Sequence, residues 1–153
     1  MIIDLISRSD PETRAIGRRL SGLLQPGDVV VLCGSLGAGK TALVGGVADG
    51  LGIDVPVTSP SFVLMKKYSS GFIPLVHVDA YRVGSLGEFD NLDVFEEARD
   101  AVLVVEWGDA VAASLPDDHL KIIMEITGET DRALRFEPYG TSWVGRPVEE
   151  LEG

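Results

Sequence analysis

Residues 29–41 read VVVLCGSLGAGKT, and this stretch decides the fold. Its first five residues are apolar, rich in β-branched side chains and without alternation, which is typical of a strand buried on both faces. Three glycines then interrupt the chain within six residues, and a lysine and a threonine follow. The next segment, TALVGGVADGLG, predicts a helix, weakened at Gly45 and Gly46 and ending near Gly50 or Gly52. The stretch therefore predicts a buried strand, a glycine loop and a helix in succession.

The glycine loop has the spacing G-x-x-x-x-G-K-[ST]. Glycines let the backbone curl so that successive N–H groups face one anion, and the positive end of the following helix dipole faces the same point. The lysine can reach the outer phosphates, and the threonine hydroxyl can bind Mg²⁺. An ordinary glycine-rich turn is the alternative, but spacing and flanks together favour a bound nucleoside triphosphate. The residues expected to bind it are Leu36, Gly37, Ala38, Gly39, Lys40, Thr41 and Ala42.

Two acidic residues end apolar runs elsewhere in the chain. LVHVD ends at Asp79, and VLVVE ends at Glu106. An acid in such a place is unfavourable unless it is paired or bound to a metal. We expect a metal site formed by Thr41, Asp79 and Glu106 and a catalytic set formed by Lys40, Asp79 and Glu106. Either acid can hold Mg²⁺ while the other orients the attacking water, and the sequence leaves that assignment open.

The nucleotide is expected to be ATP, mainly by elimination. GTPases usually carry N-K-x-D to read guanine and D-x-x-G after a buried strand, and the sequence contains neither string in such a context.

The remaining patterns alternate between strand and helix. MIIDLIS predicts an edge strand, and SDPETRAIGRRLSGLL predicts a helix with Ser9 or Asp10 as its cap. A strand pair joined at SSG and a terminal hairpin around GET are expected further along, while the acidic run GSLGEFDNLDVFEEARD is expected to be helical in pieces. We predict an α/β fold, a P-loop three-layer sandwich with a mostly parallel central sheet and a C-terminal β-hairpin. It forms a single domain over residues 1–153, with a loose tail from about residue 140.

Composition restricts the partners and the compartment. With 13 Lys and Arg against 24 Asp and Glu, the net charge is −11, which argues against a protein that binds nucleic acid or an anionic membrane on its own. Cys33 is the only cysteine, so no internal disulfide is possible. The N-terminus lacks a secretory pattern, and no apolar run approaches the ~20 residues that span a bilayer. We expect a cytoplasmic protein.

The motifs, taken in order, resemble the bacterial TsaE family, also called YjeE. They are GSLGAGKT, then TSPSF at residues 58–62, HVDAYR at residues 77–82 and VVEWGD at residues 104–109. The resemblance extends over nearly the whole chain. It implies a small Mg²⁺-dependent ATPase that is slow alone and works with the TsaB–TsaD pair in threonylcarbamoyladenosine modification of tRNA, touching tRNA only indirectly.

The resemblance also implies roles for individual residues. Thr58 and Ser61 match a switch-like loop near the γ-phosphate, where many members carry threonine in place of Ser61. Trp107 matches a tryptophan beside the nucleotide, with ordinary packing as the alternative. Arg132 matches an arginine that approaches the nucleotide, with a surface position as the alternative. Thr13 lies in a helix that runs near ATP in the family, with an ordinary polar residue of the first helical turn as the alternative. His77 is interpreted as structural.

Two other functions stay open on the sequence. A small-molecule kinase can use the same loop, but it needs an acceptor pocket and lid arginines. A nucleotide-controlled assembly switch needs binding without hydrolysis.

Overall fold

The computed structural model describes residues 1–35, 37–58, 65–80, 93–107 and 113–153. Within these ranges it contains seven strands, three α-helices and two C-terminal 3-10 helices. In chain order they are β1 (Ile3–Ser7), α1 (Asp10–Ser21), β2 (Val29–Gly34), α2 (Lys40–Gly50), β3 (Met65–Tyr68), β4 (Leu75–Asp79), α3 (Val94–Glu97), β5 (Val102–Glu106), β6 (His119–Ile126), β7 (Arg132–Tyr139), and the 3-10 helices Thr141–Trp143 and Val148–Glu152.

The strands form one sheet in the order β1-β7-β6-β2-β5-β4-β3. The four central strands, β6, β2, β5 and β4, are parallel. The outer strands β1, β7 and β3 pair antiparallel with their neighbours. The α/β class, the edge position of β1 and the terminal hairpin of β6 and β7 are confirmed. The sheet is mixed, with a parallel centre in which the glycine-loop strand β2 takes a middle place.

Apolar side chains cover both faces of the central strands. Along β2, Val30 and Leu32 belong to one buried cluster and Val29 and Val31 to the other, because successive side chains point to opposite faces. The first cluster lies under α1 and α2 and the second under α3. This confirms that β2 is buried on both faces, as its unbroken apolar sequence predicts.

Helix α1 begins at the predicted cap and crosses α2 closely. The Ser9 hydroxyl accepts a hydrogen bond from the Glu12 amide at 3.2 Å. At the crossing, a Cβ on Gly46 would lie 2.1 Å from the Arg14 carbonyl oxygen. Gly46, predicted to weaken α2, is therefore what lets the two backbones touch. Among the described residues, no helix has both the length and the apolar character needed to cross a membrane.

The C-terminal residues 140–153 are packed against the domain, so the expectation of a loose tail is wrong. Trp143, Val148 and Leu151 are all buried. Arg146 forms a two-pronged ion pair with Asp28, with N–O distances of 2.5 and 3.0 Å. The sequence conceals this anchoring because two short 3-10 helices carry no regular apolar repeat.

Candidate functional site

The glycine loop connects the C-terminal end of β2 to the first residue of α2. Gly39 is the residue before α2 and has φ of 97°, a left-handed conformation that glycine adopts at little cost. Gly39, the N-cap of α2, offers no side chain to cap the helix, whereas Ser9 caps α1. The first-turn amides of a helix lack intrahelical partners and carry the positive end of its dipole. The loop therefore leads into a helix end suited to an anion.

Lys40 lies at this helix end and is 7% exposed. Its Nζ donates hydrogen bonds to the carbonyl oxygens of Gly34 at 2.8 Å and Ser35 at 3.1 Å. The same ammonium sits 3.8 Å from the centre of the Trp107 ring. The loop carbonyls and the indole thus hold the positive charge beside the loop.

Trp107 has a positive φ of 61°, which is rare for a bulky residue. Its amide donates to the Leu32 carbonyl oxygen at 2.8 Å, so it stays attached to β2 just beyond the end of β5. The indole predicted to lie beside the nucleotide therefore contacts the loop lysine. Strained backbone of this kind concentrates at functional sites.

Asp79 and Glu106 end the neighbouring parallel strands β4 and β5 and are direct register partners. Both are buried, at 5% and 4% exposure. On β4, Leu75 belongs to the apolar cluster under α1 and α2, so by alternation Asp79 points to that face, where the loop helix lies. Glu106 also lies opposite Leu32 of β2. The structure therefore places both acids on the sheet edge and sheet face that carry the glycine loop.

Glu106 has a buried hydrogen-bond partner that the motif reasoning did not connect with it. Its Oε2 lies 2.7 Å from Nε2 of His77, which has no exposed surface. The two residues are 29 positions apart in sequence, so only the strand order brings them together. The sequence does indicate part of this contact. Side chains alternate between the two faces of a strand, so in LVHVD the side chain of His77 lies on the same face as that of Asp79.

Arg132 reaches the glycine loop from the start of β7. Its Nη2 donates to the Gly37 carbonyl oxygen at 3.3 Å, and its Nη1 donates to the carbonyl oxygens of Gly128 at 3.2 Å and Asp131 at 2.9 Å. The Nε atom is buried and has no hydrogen-bond partner among the residues the structure describes. The guanidinium is thus directed at the loop, and its contact with a nucleotide stays a prediction.

Thr13 lies in a buried hydroxyl network at the base of α1. Its Oγ1 is 2.6 Å from the Ser7 hydroxyl and 3.3 Å from the Ser9 carbonyl oxygen. Ser7 is the register partner of Arg132, so the network adjoins the residue that touches the loop. Ser7 was not predicted, although Ile3 and Leu5 place it by alternation on the core face. The role of Thr13 toward a nucleotide stays a prediction.

The remaining predicted positions are split between described and undescribed residues. Thr41 and Ala42 occupy the first turn of α2, where Thr41 is exposed and Ala42 half-buried, while Ala38 in the loop is fully buried. Thr58 accepts a hydrogen bond from the Lys66 ammonium at 2.7 Å. Leu36 and Ser61 lie outside the described residues, as do Tyr81 and Arg82 of the HVDAYR motif.

The carboxylate oxygens of Asp79 and Glu106 fit a magnesium ion that is held together with a nucleotide. Mg²⁺ prefers oxygen ligands and keeps several waters, and in nucleotide sites the protein usually supplies one or two carboxylates. No cluster of three or more His, Cys, Asp or Glu suited to a metal occurs among the described residues. The buried carboxylates of Asp79 and Glu106 are oxygen ligands of this kind, and phosphate oxygens and waters would complete the set.

Comparison with known proteins gives consistent similarities. Residues 7–134 match the model of the family described as "Threonylcarbamoyl adenosine biosynthesis protein TsaE". The chain is 43% identical over 147 residues to the tRNA threonylcarbamoyladenosine biosynthesis protein TsaE of Streptomyces coelicolor, covering 92% of this chain and 99% of that one. It is 38% identical over 132 residues to the Bacillus subtilis protein of the same name, covering 86% and 83%. A crystal structure of YdiB from Bacillus subtilis superposes with a TM-score of 0.78 at 32% identity, covering 99% of this chain and 94% of that one.

Proposed function

Because the chain belongs to the TsaE family, we propose that it is a magnesium-dependent ATPase in the threonylcarbamoyladenosine modification of tRNA. The relatives over most of its length are named for that biosynthesis, which supports the role in the pathway. The ATPase activity is inferred from the site, and the action with TsaB and TsaD follows from the resemblance in the motifs. We place this activity in the cytoplasm.

One observation carries the ATPase proposal. A buried lysine, the helix N-terminus that follows Gly39 and two buried carboxylates share one edge and one face of the sheet. A triphosphate with a divalent cation would interact favourably with all of these groups at once, because the phosphates would face the lysine and the amides while the cation would face the acids.

The roles of the residues follow from this geometry. The loop amides and Lys40 would hold the β- and γ-phosphates, and Lys40 would exchange its bonds to the loop carbonyls for bonds to phosphate oxygens. Thr41 and one of the two acids would hold Mg²⁺, which neutralises charge on the phosphates. The other acid would orient the attacking water. Trp107 would keep the ammonium beside the loop.

The charge of the chain supports dependence on partner proteins. At a net charge of −11, the chain lacks the cation excess that phosphate-rich RNA attracts. We propose that TsaB and TsaD provide the tRNA-binding surface and that this chain provides nucleotide turnover. A P-loop site often needs a group supplied by another protein, so turnover by the isolated chain is expected to be slow.

The test is phosphate release from ATP, measured for the isolated chain and for its mixture with TsaB and TsaD. We expect slow release alone and faster release in the mixture. Lys40→Ala should lower it by about 100-fold or more, because the phosphates lose their cation in a water-poor site. Lys121→Ala is the matched control, since Lys121 lies on β6 between Leu120 and Ile122 and so faces the opposite side of the sheet. Unchanged release by Lys40→Ala, or transfer of the phosphate to a metabolite instead of water, would contradict the proposal.

A further inference from the structure

His77 is a fully buried residue in the middle of a strand beside the candidate catalytic acids. It lies opposite Val104, while Asp79 lies opposite Glu106. Its bond to Glu106 is therefore a diagonal contact between neighbouring strands on one face of the sheet. The imidazole sits one residue pair behind the two acids, toward the interior. With 0% exposure it has no surface from which to contact water or a nucleotide.

The His77 imidazole is oriented by Glu106. An ionised carboxylate only accepts hydrogen bonds, so Nε2 carries the hydrogen and donates it to Oε2 across 2.7 Å. Among the described residues, Nδ1 has no hydrogen-bond partner. The polar contact that fixes this ring in the described part of the chain is therefore the one with Glu106.

We propose that His77 is a positioning residue that fixes the rotation of the Glu106 carboxylate. A glutamate side chain has three rotatable bonds, so its carboxylate can adopt many orientations. The reaction slows when a catalytic group is not held in the productive orientation. Fixing Oε2 leaves Oε1 able to accept further bonds at the site. The inference rests on the proposed ATPase function and holds whether Glu106 binds the metal or orients water. We do not assign His77 the role of general base, because its ring has no exposed surface in the structure.

Three variants separate positioning from packing. His77→Gln keeps an N–H donor at nearly the position of Nε2. His77→Met has similar length and no donor. Leu75→Met is the control for repacking, since Leu75 is fully buried two residues earlier on the same face of β4. Each variant is measured for kcat, for KM and for affinity for Mg-ATP, with thermal unfolding recorded alongside.

We expect His77→Met to lower kcat by about 10-fold or more, the usual effect of losing a residue that orients a catalytic or metal-binding group. Affinity for Mg-ATP at saturating magnesium should change little, because the loop and Lys40 are intact. His77→Gln should recover most of the kcat, and Leu75→Met should resemble the wild type. Wild-type kcat in a folded His77→Met variant would overturn the proposal, and so would equal losses in the Gln and Met variants.

A second readout needs no nucleotide and no activity. Nitrogen-15 NMR of the imidazole reports which ring nitrogen carries the hydrogen. We expect a protonated Nε2 and a bare Nδ1 in the wild type, and a shifted Nε2–H signal in Glu106→Gln. A hydrogen on Nδ1 alone, or signals indifferent to Glu106→Gln, would overturn the positioning role. If the chain hydrolyses no ATP but the NMR result holds, the proposed function fails while the contact between His77 and Glu106 stands.

Discussion

At the residue scale, three buried charged side chains are concentrated at the site. Most ion pairs in the described part of the chain are exposed, such as Arg99 with Glu96. Exposed pairs of this kind contribute little to stability because water screens them. Lys40, Asp79 and Glu106 are each less than 10% exposed. These three buried charges lie at the ends of two neighbouring parallel strands and at the start of the helix that follows the glycine loop.

The two acids are predicted to have separable effects. Asp79→Asn and Glu106→Gln should each leave the fold intact and lower ATP turnover by about 100-fold, the usual contribution of a positioned acid or base. A magnesium titration of turnover distinguishes their roles. The variant that needs more Mg²⁺ for half-maximal rate has lost the metal ligand, and the other has lost the group that orients water.

Glu137→Gln is the control for the loss of one carboxylate. Glu137 lies on β7 next to the fully buried Phe136, so it faces the opposite side of the sheet. Its turnover and magnesium requirement should match the wild type. Wild-type turnover in both Asp79→Asn and Glu106→Gln would remove the acids from the mechanism.

At the element scale, the crossing of α1 and α2 sets the position of the loop helix. A Cβ on Gly17 would lie 2.4 Å from the Leu43 carbonyl oxygen, and one on Gly46 would lie 2.1 Å from the Arg14 carbonyl oxygen. These atoms belong to backbone and cannot turn aside. Glycine lowers the helix propensity of both segments, but at these two positions it lets the backbones of α1 and α2 approach closely.

Gly46→Ala is predicted to destabilise the protein by about 1–3 kcal/mol, because the added methyl group forces the helices apart. Gly45→Ala is the matched control. The atoms nearest to its Cβ would be those of the Arg14 guanidinium, which can move. Alanine there should be neutral or stabilising by up to about 1 kcal/mol. Denaturant unfolding measures both, and equal destabilisation by the two changes would contradict the crossing geometry.

Local sequence patterns predicted the helices, strands and turns better than they predicted contacts between residues far apart in the sequence. The unbroken apolar run of β2, the cap at Ser9 and the turn at GET each depend on neighbouring residues, and these elements were found. The hydrogen bond of His77 to Glu106 depends on β4 lying beside β5, which no local pattern encodes. The hydrogen bond of Arg132 to Gly37 joins residues 95 positions apart and likewise depends on how the strands are arranged in the sheet.

At the scale of the whole molecule, the C-terminal residues close the domain. Arg146 joins the tail to the start of β2 by its ion pair with Asp28, whose side chain is 8% exposed. The guanidinium also stacks 4.1 Å over the Trp143 ring. A single buried cation thus holds residues 140–153 against the turn that precedes the glycine-loop strand.

Arg146→Ala is predicted to destabilise the protein by about 3 kcal/mol, because Asp28 would keep a buried charge without its partner. The melting temperature should fall by about 6 °C or more for a chain of this size. Calorimetry measures the shift, and a melting temperature equal to that of the wild type would show that this ion pair does not contribute to stability.

Arg135→Ala is the control, since it breaks an exposed pair with Asp4. Arg135 lowers the pKa of Asp4, chiefly by donating a hydrogen bond to its carboxylate. The pair therefore contributes at neutral pH and loses its contribution as the pH falls through the lowered pKa of Asp4. The effect of Arg135→Ala should be small at neutral pH and should shrink further in acid.

The most direct measurement of nucleotide binding is the amide NMR spectrum of the chain titrated with Mg-ATP. We predict that the largest shifts fall on the amides of residues 37–42, with smaller shifts at Trp107 and Arg132, and that Lys40→Ala abolishes them at the same ATP concentration. Shifts concentrated elsewhere, or a spectrum unchanged at saturating Mg-ATP, would contradict binding of the triphosphate at the head of α2.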